Sequence, residues 1–222
     1  RAQGVDLLLG QPLTGLFAEG DQVRAEFCDK NAQADLIVFC IGTRPDIGFV
    51  DREEIQVRRG VVVDEGMRTS APGIYAAGDC CEGNNLQTGE KQNIGLWANA
   101  AYQGRTAGRN LAGKTAEYDG TILHNITHFM GMDFIGFGDV SAVGEVVHYE
   151  KPDGSFILHM VLDQGKALCV NILDNYVISG VVKHHILKRF QGISEPAAPA
   201  QRALLLKYGI PADILDRLEA VR

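Results

Sequence analysis

Hydrophobic and polar positions along the first ninety or so residues fall into short runs of strand character. Val5 to Leu9 is a brief apolar run followed by a Pro/Gly turn, and Gln22 to Phe27 alternates around Val23, Ala25 and Phe27, the period of a half-buried strand. Ala34 to Ile41 is almost continuously apolar, which predicts a buried strand that ends at Gly42-Thr43-Arg44-Pro45. Two more short strands are expected, Gly60 to Asp64 and, after the Ala71-Pro72 break, Gly73 to Ala77 running into Gly78-Asp79. From about Gln92 to Ala112 the spacing changes. Ile94, Trp97, Ala98, Ala101, Gly104, Gly108 and Leu111 recur every three or four residues, predicting a helix whose small-residue face packs closely on a neighbour.

Beyond Lys114 to Gly120 the texture is different, with His124 to Gly138 aromatic and rich in glycine. Val143 to Tyr149 reads as a strand, Ser155 to Asp163 and Lys166 to Leu173 as a hairpin around Asp163-Gln164-Gly165, and Val177 to Phe190 as a helix. Residues 118–190 are therefore expected to form a domain of their own. Glu195 to Ala200 reads as a linker, and the tail as two short helices broken at Gly209-Ile210-Pro211. No internal repeat is visible.

The 222 residues carry 21 basic and 28 acidic side chains, a net charge of −7, and 45% are hydrophobic. That balance is globular and excludes a wholly disordered or fibrous chain. The first 117 residues hold 12 basic against 16 acidic side chains, so neither part is a basic arm, and no nucleic-acid or acidic-membrane partner is expected. The run Leu36 to Ile41 falls far short of the ~20 residues a bilayer requires. Cys28, Cys40, Cys80, Cys81 and Cys169 are an odd set without metal-like spacing. A secreted disulfide framework is therefore not expected, and a reducing cytoplasm is the expected location.

Several patterns carry candidate chemistry. Gly108 to Thr115 matches the phosphate-loop pattern G-x-x-x-x-G-K-[ST], but such a loop opens a helix, whereas these residues close one; Gly113 is a natural cap and Lys114 suits the negative helix end. His124 and His128 lack the intervening Glu of a zinc-protease helix and read as packed or hydrogen-bonded, and His184-His185 reads as a solvated helix face. Adjacent Cys80 and Cys81 lack the Cys-x-x-Cys spacing of a redox pair. At Gly78-Asp79, a glycine would admit a ligand to the backbone and a carboxylate could accept hydrogen bonds from sugar-type hydroxyls. A plain Gly-Asp turn fits those two residues equally well.

Thr69-Ser70-Ala71-Pro72-Gly73-Ile74-Tyr75-Ala76-Ala77-Gly78-Asp79 closely resembles the second flavin-binding motif of the FAD-dependent pyridine nucleotide-disulfide oxidoreductase family. Ala34 to Pro45 is similar to the strand and turn by which that family's NAD(P)H-binding domain returns to its FAD domain, and Gly60 to Glu65 to the strand between them. Leu96-Trp97-Ala98-Asn99-Ala100 followed by Gln103-Gly104-Arg105 resembles the flavin-facing helix of the branch containing NADH oxidases, rubredoxin reductases and NAD(P)H nitrite reductase flavoproteins. Residues 145–190 look like that branch's C-terminal interface domain. The resemblance reaches about residue 192 and leaves the tail unplaced.

The resemblance implies an α/β and α+β fold. It divides the chain into the end of an NAD(P)H-binding domain (1–45), the C-terminal part of an FAD-binding domain (46–117), an interface or dimerisation domain (118–192) and a helical tail (193–222). Carried over, Asp79 would hydrogen-bond the ribityl chain of FAD, Gly78 would let the backbone approach it, and Leu96, Trp97 and Ala98 would set N–H groups near the flavin C2 carbonyl. Catalytic residues are not identified and no metal is expected. Neither G-x-G-x-x-G fingerprint is present, since Gly136-Phe137-Gly138 continues as Asp139-Val140-Ser141. The chain is therefore expected to be about the C-terminal half of an enzyme that passes a hydride from NAD(P)H to FAD and electrons to a small-molecule or small redox-protein acceptor. A homodimer is implied. Alone, the 222 residues are expected to be inactive and to hold FAD weakly or not at all. The rival reading is a non-catalytic dimerisation or interaction module.

Overall fold

A computed structural model of the protein describes residues 4–164, 166–193 and 195–219, and it divides into two compact units that part between Thr43 and Arg44. The first unit is an antiparallel meander of β1 (Leu13–Glu19), β2 (Gln22–Phe27) and β3 (Asn31–Ala34). The alternation around Val23, Ala25 and Phe27 does form β2, whose Ala25 is buried. Arg24 ties the sheet together, bonding Glu19 and Glu26 while its guanidinium lies 4.6 Å over the Phe17 ring. β1 was hidden from the sequence reading by Gly15 and a register shift beside it.

Two expected strands are absent. Val5 to Leu9 pairs with nothing among the described residues, and strand pairing in Ala34 to Ile41 stops at Ala34. Leu36, Val38 and Ile41 stand 78%, 71% and 88% exposed. A run apolar on both faces becomes a strand only where neighbouring strands and covering layers exist. The described part of this unit offers neither.

The second unit begins with irregular chain around a small core of Ile47, Val61, Val63, Met67, Cys81, Ala107 and Tyr118. The strands expected at Gly60–Asp64 and Gly73–Ala77 shrink to single bridges, Val61 with Val57 and Cys81, and Tyr75 with Arg68. Their backbone bonds, such as Val61 N–H to the Cys80 carbonyl at 2.9 Å and Val62 N–H to the Gln56 carbonyl at 3.0 Å, go to different neighbouring segments and do not run on as a ladder. A two-stranded hairpin, β4 (Glu82–Asn84) and β5 (Lys91–Asn93), then leads into helix α1 (Trp97–Leu111).

α1 is buried on the side opposite to the one expected. Asn99, Gln103, Thr106 and Ala107 face inward, whereas Trp97 is 90% exposed and side chains added at Gly104 or Gly108 would meet nothing within 4 Å. The polar side is the buried one because loops around residues 78, 94 and 116 present backbone groups for it to bond. At the other end Gly113 takes φ 75°, its N–H bonding the Asn110 carbonyl at 3.0 Å while Lys114 N–H bonds Arg109 at 2.9 Å. This is the paired closure of a Schellman motif. Gly108–Thr115 therefore ends a helix and opens none.

The remainder is an antiparallel sheet of five strands: β6 (His124–Phe129), β7 (Met132–Gly138), β8 (Glu145–Glu150), β9 (Ile157–Asp163) and β10 (Lys166–Leu173), in the order β6-β7-β10-β9-β8. Residues 176–178 form a 3-10 turn into α2 (Ser179–Phe190), and the tail forms α3 (Pro199–Lys207) and α4 (Ala212–Glu219). One sheet face, with Phe137, Met160 and Val170, packs on Val182 and Ile186 of α2 and on Leu205, Ile214 and Leu215 of the tail. The tail thus completes this core. On the other face the register aligns Asn125, Gly136, Asn171, His159 and His148 in one row, beside an exposed Phe134. No helix among the described residues is long and apolar enough to cross a membrane.

Candidate functional site

The segment Tyr75 to Ala77 is held to its neighbour by Ala76 N–H bonding the Met67 carbonyl at 3.2 Å, and it delivers Gly78 and Asp79 into a turn closed by Cys81 N–H on the Gly78 carbonyl at 3.1 Å. Gly78 is buried at φ 85°, a conformation that favours glycine. The turn is tied from two directions. Gln103 of α1 accepts the Gly78 N–H on Oε1 at 2.8 Å, and Asn93 of β5 donates through Nδ2 to the carbonyl oxygens of Asp79 and Cys81.

The Asp79 side chain is left exposed. Its carboxylate accepts no hydrogen bond among the described residues and lies 3.7 Å from where a Cβ would stand on Gly95. One residue further on, Leu96 caps α1 with extended backbone (φ −134°, ψ 131°) and no side-chain acceptor, and the first turn holds no acidic residue. The first intrahelical bond is Ala100 N–H to Leu96 at 2.9 Å, so the N–H groups of Trp97 and Ala98 have no acceptor among the described residues. Open N–H groups at a positive helix end attract negative charge. Gly78, Asp79, Leu96, Trp97 and Ala98 are thus brought together, with Gly95 between the carboxylate and the helix start.

Beneath the turn lies a buried polar layer that was not legible in the sequence. Gln103 is fully buried; Cys81 Sγ sits 3.5 Å from its Oε1, and its Nε2 has no partner among the described residues. A Cβ on Gly83 would stand 2.6 Å from that Nε2, so glycine there makes room for the amide. Asn99 donates to the Ile94 carbonyl at 3.0 Å and accepts the Tyr118 hydroxyl. Burial, with Cys80 alongside as the lesser cause, pushes the Cys81 thiol up to about 12, and burial likewise raises the Tyr118 phenol. Both stay protonated near neutrality. Cys81 is therefore a hydrogen-bond donor in this layer, to the Gly78 carbonyl and Gln103 Oε1. The signal that could have found Gln103 was the run of polar residues at helical spacing, Asn99, Gln103 and Thr106, on a helix expected to bury its small residues.

The other candidates stay apart. His124 lies on β6, 3.0 Å from Lys183 Nζ, while exposed His128 bonds Asp133 at 2.7 Å. His185, expected on a solvated face, is buried with Nε2 2.9 Å from the Leu218 carbonyl, because α4 covers it. All five cysteines are free thiols, and no cluster of three or more possible metal ligands occurs among the described residues.

A flavin's chemistry can be tested against this donor set. A free carboxylate suits sugar-type hydroxyls, open helix-end N–H groups suit a carbonyl that gains negative charge, and Gly78 and Gly95 leave the floor between them without side chains. The residues fit FAD.

Residues 1–104 match the family model described as pyridine nucleotide-disulphide oxidoreductase. An NADH oxidase of Methanocaldococcus jannaschii is 33% identical over 118 residues, 52% of this chain and 26% of its own length. A rubredoxin-NAD(+) reductase of Pseudomonas putida is 33% identical over 114 residues, 50% of this chain and 30% of its own. A solved ferredoxin reductase from Rhodopseudomonas palustris superposes with a TM-score of 0.74 at 21% identity, covering 99% of this chain and 52% of that one, a likeness of fold. The chain thus spans between a quarter and a third of these two curated relatives. The three motifs in order, the fold and the family match over residues 1–104 agree in supporting a member of the pyridine nucleotide-disulphide oxidoreductase family.

Proposed function

We propose that this chain supplies the flavin-side wall and interface region of a longer FAD-dependent NAD(P)H oxidoreductase, which takes a hydride from NAD(P)H and delivers electrons to a small redox protein or small molecule. The observation that carries this reading is the juxtaposition of an unpartnered Asp79 carboxylate with the uncapped start of α1 across Gly95. The relatives named for NADH oxidation and rubredoxin reduction support the reaction class. The exposed apolar run from Leu36 and the open Gly104–Gly108 face of α1 support further chain packing there. A homodimer through the outward sheet face around Phe134 belongs to the same reading.

In this assignment Asp79 accepts hydrogen bonds from ribityl hydroxyls, and Gly78 keeps the backbone close. Leu96 sets the entry to α1, so that Trp97 and Ala98 aim their N–H groups at the flavin C2 carbonyl. These donors are fixed before electrons arrive, so they stabilise the added negative charge without reorganising. FAD, when bound, supplies the hydride- and electron-accepting chemistry itself.

The test is flavin retention in the full-length protein. Asp79→Ala is expected to cut the FAD-to-protein ratio after desalting, with the circular dichroism and melting temperature of the flavin-free protein close to those of flavin-free wild type. Unchanged flavin content would sink the assignment and favour a non-catalytic interaction module.

A further inference from the structure

We infer that Gln103 is a positioning residue for the flavin site: its buried carboxamide locks the Gly78-Asp79 turn to helix α1 and so fixes the spacing between the ribityl-binding carboxylate and the helix N–H groups. The inference rests on the flavin reading above and deepens it.

The Asp79 carboxylate has no hydrogen-bond partner among the described residues, so its place is set by the backbone on either side. Asn93 holds the C-terminal side of the turn through the Asp79 and Cys81 carbonyls, from strand β5. Gln103 holds the N-terminal side through Gly78 N–H at 2.8 Å, from α1 itself. Among the described residues Gln103 is the one side chain of α1 bonded to residues 78–81. It therefore couples the two halves of the site directly, the turn carrying Asp79 and the helix carrying Trp97 and Ala98.

The amide is oriented by what it faces. Gly78 N–H and the protonated Cys81 thiol are both donors, so oxygen must point toward the turn and nitrogen away. Nε2 is left buried and unpaired against Gly83. Leaving a buried amide half satisfied is costly. A residue kept only for core stability would be served as well by an apolar side chain of the same length. The retained oxygen is explained by the Gly78 N–H, which would otherwise be buried without an acceptor beside its left-handed φ of 85°.

The experiment compares wild type, Gln103→Met, Gln103→Glu and Asp79→Ala in the full-length protein, measuring FAD dissociation by fluorescence and, after removal of flavin, hydrogen exchange of the Gly78 amide. Gln103→Met keeps the bulk and loses the acceptor. It is expected to weaken FAD roughly tenfold or more and to speed Gly78 exchange by a similar factor, with α1 amides still protected. Gln103→Glu keeps an oxygen at the same reach and is expected to recover both. If Asp79→Ala loses flavin while Gln103→Met matches wild type in both readouts, the positioning role is overturned and the flavin reading stands. If Gly78 exchange rises in Gln103→Met without any change in FAD affinity, the role is overturned as well. If Asp79→Ala and Gln103→Met both keep wild-type affinity, the flavin reading itself falls.

Discussion

Gly138 at the end of β7 shows how one residue can settle how segments meet. Its φ is 81°, and a Cβ there would stand 2.0 Å from the Leu168 carbonyl oxygen, at the register shift between Ala167 and Cys169 in β10. That same oxygen accepts the Asp139 N–H at 3.0 Å and the Gln87 amide from the β4–β5 loop, so it cannot retreat. Gly138→Ala is expected to cost about 2–4 kcal/mol through strain and overpacking. At roughly 2–4 °C per kcal/mol for a chain of this size, a drop of about 4–16 °C in Tm by differential scanning calorimetry is the expected outcome. At the proposed flavin site, legibility divided along similar lines. Gly78 and Asp79 stood in a contiguous motif, and Leu96, Trp97 and Ala98 in another. Gln103 stayed hidden because its role depends on a partner 25 positions away along the chain.

Helix α2 holds two histidines in neutral form by its packing. His124, opposite Lys183 Nζ at 3.0 Å, and His185, under α4, are both held below the usual imidazole range by burial first, with Lys183 and Arg189 respectively adding to it. Unfolded histidine takes up its proton near pH 6.5. With folded values below that, unfolding binds protons as pH falls through about 6.5 toward the folded values, so stability declines there and is level above. Melting temperature is expected to be flat from about pH 7 to 8 and to fall between about 6.5 and 5, at most ~1.4 kcal/mol per pH unit per histidine. His185→Gln, which can still donate to the Leu218 carbonyl, is expected to make the fall shallower; an unchanged slope would contradict this account. The same elements show where pattern reading works. β9 and β10 were legible because alternation and a turn signal coincide, and α2 because its period is long and regular. Ala34 to Ile41 misled because an apolar run encodes burial without naming the partner that provides it, and α1 misled because small residues announce close packing without saying against what.

In the molecule as a whole, an uncovered face of α1 supports the proposal that further chain packs there. The side of α1 that carries Ala101, Gly104 and Gly108 is exposed, with open space where Cβ atoms would be, although its small residues suit a close neighbour. Glycine inside an exposed helix costs about 1 kcal/mol relative to alanine, and is kept without penalty only where something approaches the backbone. Two contexts then give opposite signs for one substitution. In the 222 residues alone, Gly104→Ala is expected to raise stability by about 0.5–1 kcal/mol in urea denaturation, as propensity dictates. In the longer flavoprotein proposed above, with further chain against this face, the added methyl meets packed atoms and the gain turns into a loss of about 1–3 kcal/mol. Equal stabilisation in both would mean that nothing closes over α1.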